Sequence, residues 1–454
     1  MQEIINKLNA EAGMITSEII KDIIEDHAAE ATRTKKLYER YKASKTGVPI
    51  FSREFDSNQA ANKINNKINN DFFSEIVDTK TGYMLGNPIS YQLDKADKKA
   101  KTEITDFNLR NNIDDLDSET GKLATICGKA YRLLYIDSEG KERAMLLPPW
   151  ETVLIYDRSI NEPQFGMRYY TISDNSTDRT RVEWYNKTNV TYYIEVDGVF
   201  VLDTTESVNP QPHMFEDIPI IAFLNNEEEQ GDCDKVLALI DAYDRALSDV
   251  NSEIEAFRLA YMAFYGVEPT LETIEIARQT GAFGFPEGTD GKFLTKDLND
   301  LPVENHLNRL EQNILRFAKS VNFGDKEFAG NSSGVALGYK LMSLDNKVST
   351  ATRKFSTGLR QQFKVLATAW ATKGIQLNYL DVFFGFTPNL PTDYAAEADT
   401  TGKLKGLVSE KTRIGLLSFV DDVGFEQEEM ARESQSMVDL DDFEDDEDDE
   451  GDED

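Results

Sequence analysis

At 454 residues, with 40% hydrophobic and 29% charged residues, the chain can bury at least one large core, and usual domain sizes predict two to four structural parts. Its net charge of −33 argues against a simple nucleic-acid binder, which needs clustered Lys and Arg to meet phosphates. Cys127 and Cys233 stand far apart, so neither a disulfide framework nor a zinc site is expected, and a reducing compartment fits.

The opening "MQEIINKLNAEAG" has no basic-then-apolar signal pattern, and no apolar run reaches the roughly 18 residues of a membrane span; a cytosolic, non-membrane chain is expected. Residues 1 to 44 read as helical, with Thr16 or Ser17 as cap. After a break at "VPIFSREFDSNQA", the spacing of four in Ile64, Ile68, Phe72 and Ile76 predicts a helix through "NKINNKINNDFFSEIVDTKTGYMLG" that ends at the turn signal "GNP". From about Pro148 to Leu224 the texture changes to short runs, among them "ETVLIYD", "FGMRYYTI", "VTYYIEV" and "IPIIAFL". Asn, Asp, Gly and Pro punctuate them, which predicts antiparallel hairpins.

Three long helices are predicted next. In Asp234 to Phe264 the stripe is Val236, Ile240, Tyr243, Leu247, Val250, Ile254, Phe257, Tyr261 and Phe264. In Val303 to Val321 it is Val303, Leu307, Leu310, Ile314, Phe317 and Val321. From Val335 onward Leu337, Leu341, Leu344, Val348, Ala351 and Phe355 keep the rhythm, which shifts by one to Leu359, Phe363, Leu366 and Trp370. Each stripe demands a partner helix along its length, about 28 to 55 Å. Between the first two lies Gly266 to Pro302, where apolar residues on either side of "PEGTDG" predict a small hairpin, so the pair reads as a stalk with a head. Between the last two lies "NFGDKEFAGNSSG", Asn322 to Gly334, long for a helix connection and carrying Phe323 and Phe328 where a partner could take them.

Charge is uneven. Asp439 to Asp454 holds 13 acidic residues, which removed from −33 leaves −20, and such a run is expected to be disordered. Val335 to Lys373 holds seven basic residues, Lys340, Lys347, Arg353, Lys354, Arg360, Lys364 and Lys373, against Asp345. Two readings stay open: pairing with the acidic stretch Asp234 to Phe264, or facing a polyanion. No catalytic signature is present. "GTDGKFL" lacks the upstream Gly and the following Ser or Thr of a phosphate loop, and His27, His213 and His306 are scattered. No cofactor or metal is expected.

The stretches "VENHLNRLEQNILRFAKSVNFGDKEFAGNSSGVALGYKL" and "NNDFFSEIVDTKTGYMLGNPISY" closely resemble the portal proteins of tailed bacteriophages, in the family of siphophages with Gram-positive hosts. The resemblance runs from roughly Tyr41 to Phe425. It implies an α+β subunit: an N-terminal helical region at 1–59, a wing of mixed α/β structure at 60–233 completed by 335–396, stem helices at 234–265 and 303–321, a clip at 266–302 and a crown at 397–430. The acidic tail at 431–454 would be disordered. It further implies a non-enzymatic ring, typically of twelve subunits, at one capsid vertex, through which double-stranded DNA is packaged and ejected. Partners would be the terminase large subunit, a head-completion or adaptor protein, and capsid and scaffolding proteins whose assembly the portal seeds. The location would be the virion, after assembly in the host cytoplasm.

By the same resemblance, Asn322, Phe323, Gly324, Asp325, Lys326, Glu327, Phe328 and Asn331 belong to the tunnel loop near DNA, and Lys340 and Lys347 are candidates to face a polyanion. Stem packing falls to Val303, Leu307, Leu310, Ile314, Phe317, Ile240, Leu247 and Ile254; the clip carries Phe283, Phe285, Pro286 and Lys292. The rival readings are a non-portal coiled-coil scaffold or adaptor, giving an elongated dimer or trimer, and a nucleic-acid enzyme, for which no ligand cluster or nucleophile is found.

Overall fold

The computed structural model describes residues 2–10, 15–54, 64–93, 98–157, 162–174, 177–257, 261–266, 268, 270–280, 284–285, 287–294, 300–322, 334–390, 394–420 and 423–444. They form two compact units, one of Met1–Thr81 with Lys95–Asp381 and one of Gly82–Asp94 with Val382–Asp454. Among the described residues no helix is long and apolar enough to cross a membrane.

The first unit begins with helices α1 (Gln2–Ala10) and α2 (Ser17–Tyr41). Thr16 caps α2, its hydroxyl accepting the Ile19 N–H at 3.3 Å. The helix predicted over 62–86 starts, among the described residues, only with α3 (Phe72–Leu85). Residues 64 to 71 hold no helix. The reason is twofold: Asn competes with helical hydrogen bonds through its side chain, and a spacing of four puts Ile64 and Ile68 on one face of an extended chain as well as of a helix.

Helices α4 (Lys98–Asn111) and α5 (Ile113–Cys127) follow β1 (Ser90–Leu93), a strand of the second unit. Gly128 ends α5 at φ +92°, and a Cβ there would lie 2.0 Å from the Glu229 carbonyl, so both conformation and space demand glycine. The chain then runs into β2 (Lys129–Ile136) and β3 (Glu142–Leu147). The predicted β-rich stretch supplies β4 (Thr152–Tyr156), β5 (Pro163–Asp174), β6 (Thr177–Tyr185), β7 (Asn189–Val196), β8 (Val199–Leu202), β9 (Gln211–Pro212) and β10 (Ile220–Leu224). Strands β4 to β8 pair in order as antiparallel hairpins, with β9 on β7; β10, β2 and β3 make a separate antiparallel sheet. Ile4, Ile5, Leu8, Ile19, Ile20 and Ile23 of the first two helices bury against Val153, Ile155, Met167, Val182 and Trp184 of the larger sheet.

Helix α6 (Leu237–Phe257) leads to strand β11 (Tyr261–Tyr265), helix α7 (Leu271–Thr280), strand β12 (Asp290–Leu294) and helix α8 (Asp300–Ala318). Two expectations are corrected here. The stripe carried the helix to Phe264, but Tyr261 to Tyr265 is a strand, and the strand pair forms not around "PEGTDG" but between Tyr261–Tyr265 and Asp290–Leu294. Periodicity along one segment cannot register a partner strand across the insert, which is what holds "YMAFY" extended.

Helix α9 (Gly334–Thr372) spans 39 residues, about 58 Å. Its stripe holds through the shift: Leu341, Leu344, Val348, Ala351, Phe355, Leu359, Phe363, Leu366 and Trp370 are all buried. A Cβ at Gly358 would sit 2.7 Å from the Phe223 ring, so glycine lets α9 lie close along β10.

In the second unit β1 pairs antiparallel with β13 (Val382–Gly385), setting Tyr91 opposite Phe384 with rings 5.8 Å apart. Helices α10 (Tyr394–Lys403), α11 (Glu410–Ile414) and α12 (Val423–Glu444) follow. Glu397 accepts the Ser418 N–H and hydroxyl, both at 3.0 Å, and Tyr394 meets Phe419 edge to face. The disordered-tail expectation is corrected for 431–444, which continue α12 because Glu, Met, Ala and Gln favour helix. Residues 445–454 lie outside the described residues.

Candidate channel-forming elements

Helices α6 and α8 pack on each other. At one end their residues join the core: Val236 and Ile240 of the α6 stretch and Ile314 and Ala318 of α8 bury with Phe72, Phe73, Ile76 and Val77 of α3 and Leu123 and Ile126 of α5. Leu310 is buried, whereas Val303, Leu307 and Leu247 are half-buried and Ile254 and Phe317 are exposed. Ala318, which the sequence stripe passed over, fills the core position beside Phe317, because a step of four from Ile314 follows the 3.6-residue turn as well as a step of three.

Along the rest of α6 the buried face is polar. Asp244 and Ser248 are buried, and with Ser252 they take the backbone N–H groups of Asn70, Ile68 and Asn66 at 2.9, 3.0 and 3.0 Å. The arrangement works because two residues of extended chain advance about 6.7 Å and four residues of helix about 6 Å, so alternate amides meet every fourth side chain. Residues 64 to 71 thus form a strap over α6, and burial raises the Asp244 carboxyl to about 6.

Of the loop residues, Asn322 is exposed just beyond α8; Phe323, Gly324, Asp325, Lys326, Glu327, Phe328 and Asn331 lie outside the described residues. In the insert, the Phe285 ring lies over Gly291, Lys292 is exposed opposite Ala263, and Phe283 and Pro286 lie outside the described residues. Apolar side chains crowd its surface: Tyr265, Leu271, Ile276 and Leu301 are all more than half exposed.

Three lysines of α9, and Lys373 just past its end, are engaged by acids of the first unit. Lys347 meets Asp232 at 2.6 Å, Lys354 meets Glu227, Lys364 meets Glu162 at 2.8 Å and Asp217 at 3.5 Å, and Lys373 meets Glu142 at 2.5 Å. Pairing is therefore the better account, with the partners drawn from β-sheet edges and loops rather than from α6. Lys347 is held inside the subunit and leaves the polyanion-facing set; Lys340 is half-buried near the start of α9.

Deeper charges went unnoticed in the sequence. Arg132 is fully buried: it donates to Asp117 at 2.6 Å, the Leu116 carbonyl at 3.0 Å, Thr120 at 2.8 Å and Gln362 at 3.2 Å, and its guanidinium lies over the Phe223 ring at 4.4 Å. Lys80 is buried against Asn225 and Asp232. A signal existed for Lys80, which occupies a core position in the run Phe73, Val77, Lys80, Met84. Burial alone would raise the Asp232 carboxyl, but the ammonium groups of Lys80 and Lys347 outweigh it and hold it below the ordinary value.

The histidines are structural or exposed. Burial lowers His27 to about 4 with its Nδ1 at 2.7 Å from the Tyr169 hydroxyl; His213 accepts the Phe215 N–H on Nδ1 and so donates from Nε2 to the Asn186 carbonyl. His306 is exposed. Among the described residues no group of His, Cys, Asp and Glu is arranged to hold a metal.

The sequence matches the family described as "Phage portal protein, SPP1 Gp6-like" over residues 20–439. It is 27% identical over 396 residues to the portal protein of Bacillus phage SPP1, covering 83% of this chain and 77% of that one. It is 24% identical over 436 residues to the portal protein of Clostridium phage phiCD119, covering 87% of this chain and 92% of that one. With stem-like helices, a small strand-paired insert and a long buried helix all inside the matched span, the chain belongs to the SPP1 Gp6-like family of phage portal proteins.

Proposed function

We infer that copies of this chain close into a ring at one vertex of the phage capsid, and that double-stranded DNA is packaged, and later ejected, through its channel. Family membership carries the channel role at the capsid vertex. The observation that supports ring closure is the inversion on α6: its polar residues Asp244 and Ser248 are covered by the strap, while Ile254 on its apolar stripe is left 47% exposed. A helix whose polar residues are covered while the far end of its apolar stripe stays exposed is completed there by a neighbour. Phe317 and Leu301 of α8 and Leu271 of α7 are further exposed apolar side chains.

The ring is expected to hold about twelve subunits, as the family resemblance implies, with residues 322–334 at the bore and the insert between α6 and α8 presented to the terminase large subunit and then to a head-completion protein. Capsid and scaffolding proteins would meet it at the vertex during assembly in the host cytoplasm. A net charge of −33 per copy suits a conduit that lets phosphates slide rather than stick.

Negative-stain imaging of the purified chain, with mass by light scattering, tests this. Closed rings with an axial hole wide enough for a duplex are expected. A monomer under all conditions would overturn ring closure, and an elongated dimer or trimer would return the chain to the scaffold reading.

A further inference from the structure

The loop expected at the bore leaves α8 and enters α9, so its placement depends on how those two helices are held. Farther along α9, Gly358 against the Phe223 ring and Gln362 on Arg132 seat the helix on β10 and β2. Nearer its start, Leu341, Leu344, Val348, Ala351 and Phe355 recur every three or four residues, so apolar contact there does not distinguish one turn from the next, about 5.4 Å apart. At the α8 end some non-repeating contact must fix the register.

Asp232 supplies it. Its carboxylate, 3% exposed, lies in the turn between β10 and α6. One oxygen faces Lys80 of α3 at 3.3 Å and accepts the Asn225 amide at 2.8 Å; the other faces Lys347 of α9 at 2.6 Å. The same Lys347 ammonium donates to the carbonyl of Ala318, the last residue of α8, at 2.6 Å, where the negative end of the helix dipole favours a cation. Asn225 is itself held by the Gln230 carbonyl at 2.9 Å. One buried carboxylate therefore joins α3, the end of α8 and α9 at a single point.

A buried ion pair is weak evidence for stability, since apolar groups of the same shape can do as well, but it is demanding about position. A one-turn shift of the first part of α9 would leave Asp232 facing Lys80 alone and the end of α8 uncapped. The repeating apolar positions from Leu341 to Phe355 would barely register the same move.

We propose that Asp232 is a positioning residue: through Lys347 it locks the end of α8 to one register of α9, and so fixes where residues 322–334 leave and re-enter the channel wall. From Lys347 back to Gly334 the helix extends about 20 Å beyond this joint, so a small rotation at the joint becomes a large displacement at the loop. The consequence for the loop rests on the channel reading above; the joint itself does not.

The test places spin labels on Lys319→Cys and Met342→Cys in the full chain, with a tenfold excess of unlabelled subunits so that distances within one subunit dominate. Met342 is 55% exposed and Lys319 is exposed, while Cys127 and Cys233 are buried and resist labelling. The parent should give one narrow distance. Lys347→Met and Asp232→Asn should broaden it or add a second population displaced by about one turn, and Lys347→Arg should restore the narrow one. Ile23→Ala, in the separate core under the larger sheet, controls for lost stability and should leave the distance unchanged. An unaltered distance in Lys347→Met, or equal broadening in Ile23→Ala, overturns the proposal. The same variants are then assembled into particles and their packaged DNA measured. Moved distances with lower DNA retention support both the joint and the loop's place, whereas moved distances with parental retention uphold the joint and overturn the reading of the loop as lining the channel.

Discussion

The first unit's sheets with α9, and the pair α6 and α8 with their insert, solve the problem of an amphipathic helix in opposite ways. Along α9 from Leu341 to Trp370 every stripe residue is buried and three lysines, with Lys373 just past the helix, meet acids of the same unit. Along α6 and α8 the stripes fade to half-buried at Leu247, Val303 and Leu307, and the insert's surface is apolar at Tyr265, Leu271 and Ile276. The lesson is that one region is finished within the subunit, while the other leaves apolar surface open for the assembly proposed above. Substitutions should separate them: those in the first lower subunit stability, those in the second lower ring formation.

The largest effect is expected at Arg132. Removing this cation takes from the buried Asp117 carboxylate the guanidinium that faces it at 2.6 Å and takes away the ring stack on Phe223, so Arg132→Ala should lower the unfolding free energy by about 4 kcal/mol, read by denaturant titration of the subunit. A loss below about 1 kcal/mol would break the claim that this region depends on its internal polar network. Next comes Ile254→Asp in the other region. Ile254 is 47% exposed, so the subunit should change by less than about 0.5 kcal/mol, while each subunit contact in the ring loses about 2 kcal/mol of apolar burial. Light scattering should show rings replaced by smaller species at unchanged thermal midpoint; rings as persistent as the parent's would remove α6 from the interface.

The finished region was the more legible in sequence. Its strands announced themselves in runs such as "VTYYIEV", and the α9 stripe read correctly through its shift, because core burial is what periodicity reports. Where side chains were matched by something other than an apolar core, the pattern misled. Ile64 and Ile68 have the spacing of a helix, yet Asn-rich chain beside them is laid as a strap on Asp244, Ser248 and Ser252, a pairing between residues 174 to 186 positions apart. The strand Tyr261–Tyr265 depended likewise on Asp290–Leu294. The α9 lysines could be counted, but their partners Glu142, Glu162, Glu227 and Asp232 could not, since ion pairs leave no spacing in a chain. The placement of stem, loop and clip rests on the family resemblance, and of those stretches residues 258–260, 267, 269, 281–283, 286, 295–299 and 323–333 lie outside the described residues.

The smallest effect lies at the seam between the two regions, where the strap crosses α6. Asp244 sits beneath it with a carboxyl raised from 3.8 to about 6, by burial first and with Asp241 and Asp71 adding repulsion, while the Asn70 N–H and Arg40 act against the shift. An acid that binds its proton more tightly in the folded state favours folding at low pH; that contribution is complete below about 4, declines as pH rises to about 6, and is gone above it. Above pH 6 the charged carboxylate therefore opposes the strap that covers it. Asp244→Asn keeps an oxygen to accept the Asn70 N–H and removes the charge, so the variant should match the parent near pH 4 and exceed it near pH 7.5 by about 1.5 kcal/mol, half the unscreened value of such a shift. Ser248→Ala, which strands the Ile68 N–H instead, should lower stability equally at both pH values. A parent stability that stays flat from pH 4 to 6, or an Asp244→Asn variant weaker at pH 7.5, would mean that the strap is held by the carboxylate's charge rather than despite it, and the polar face of α6 would then belong with the finished region.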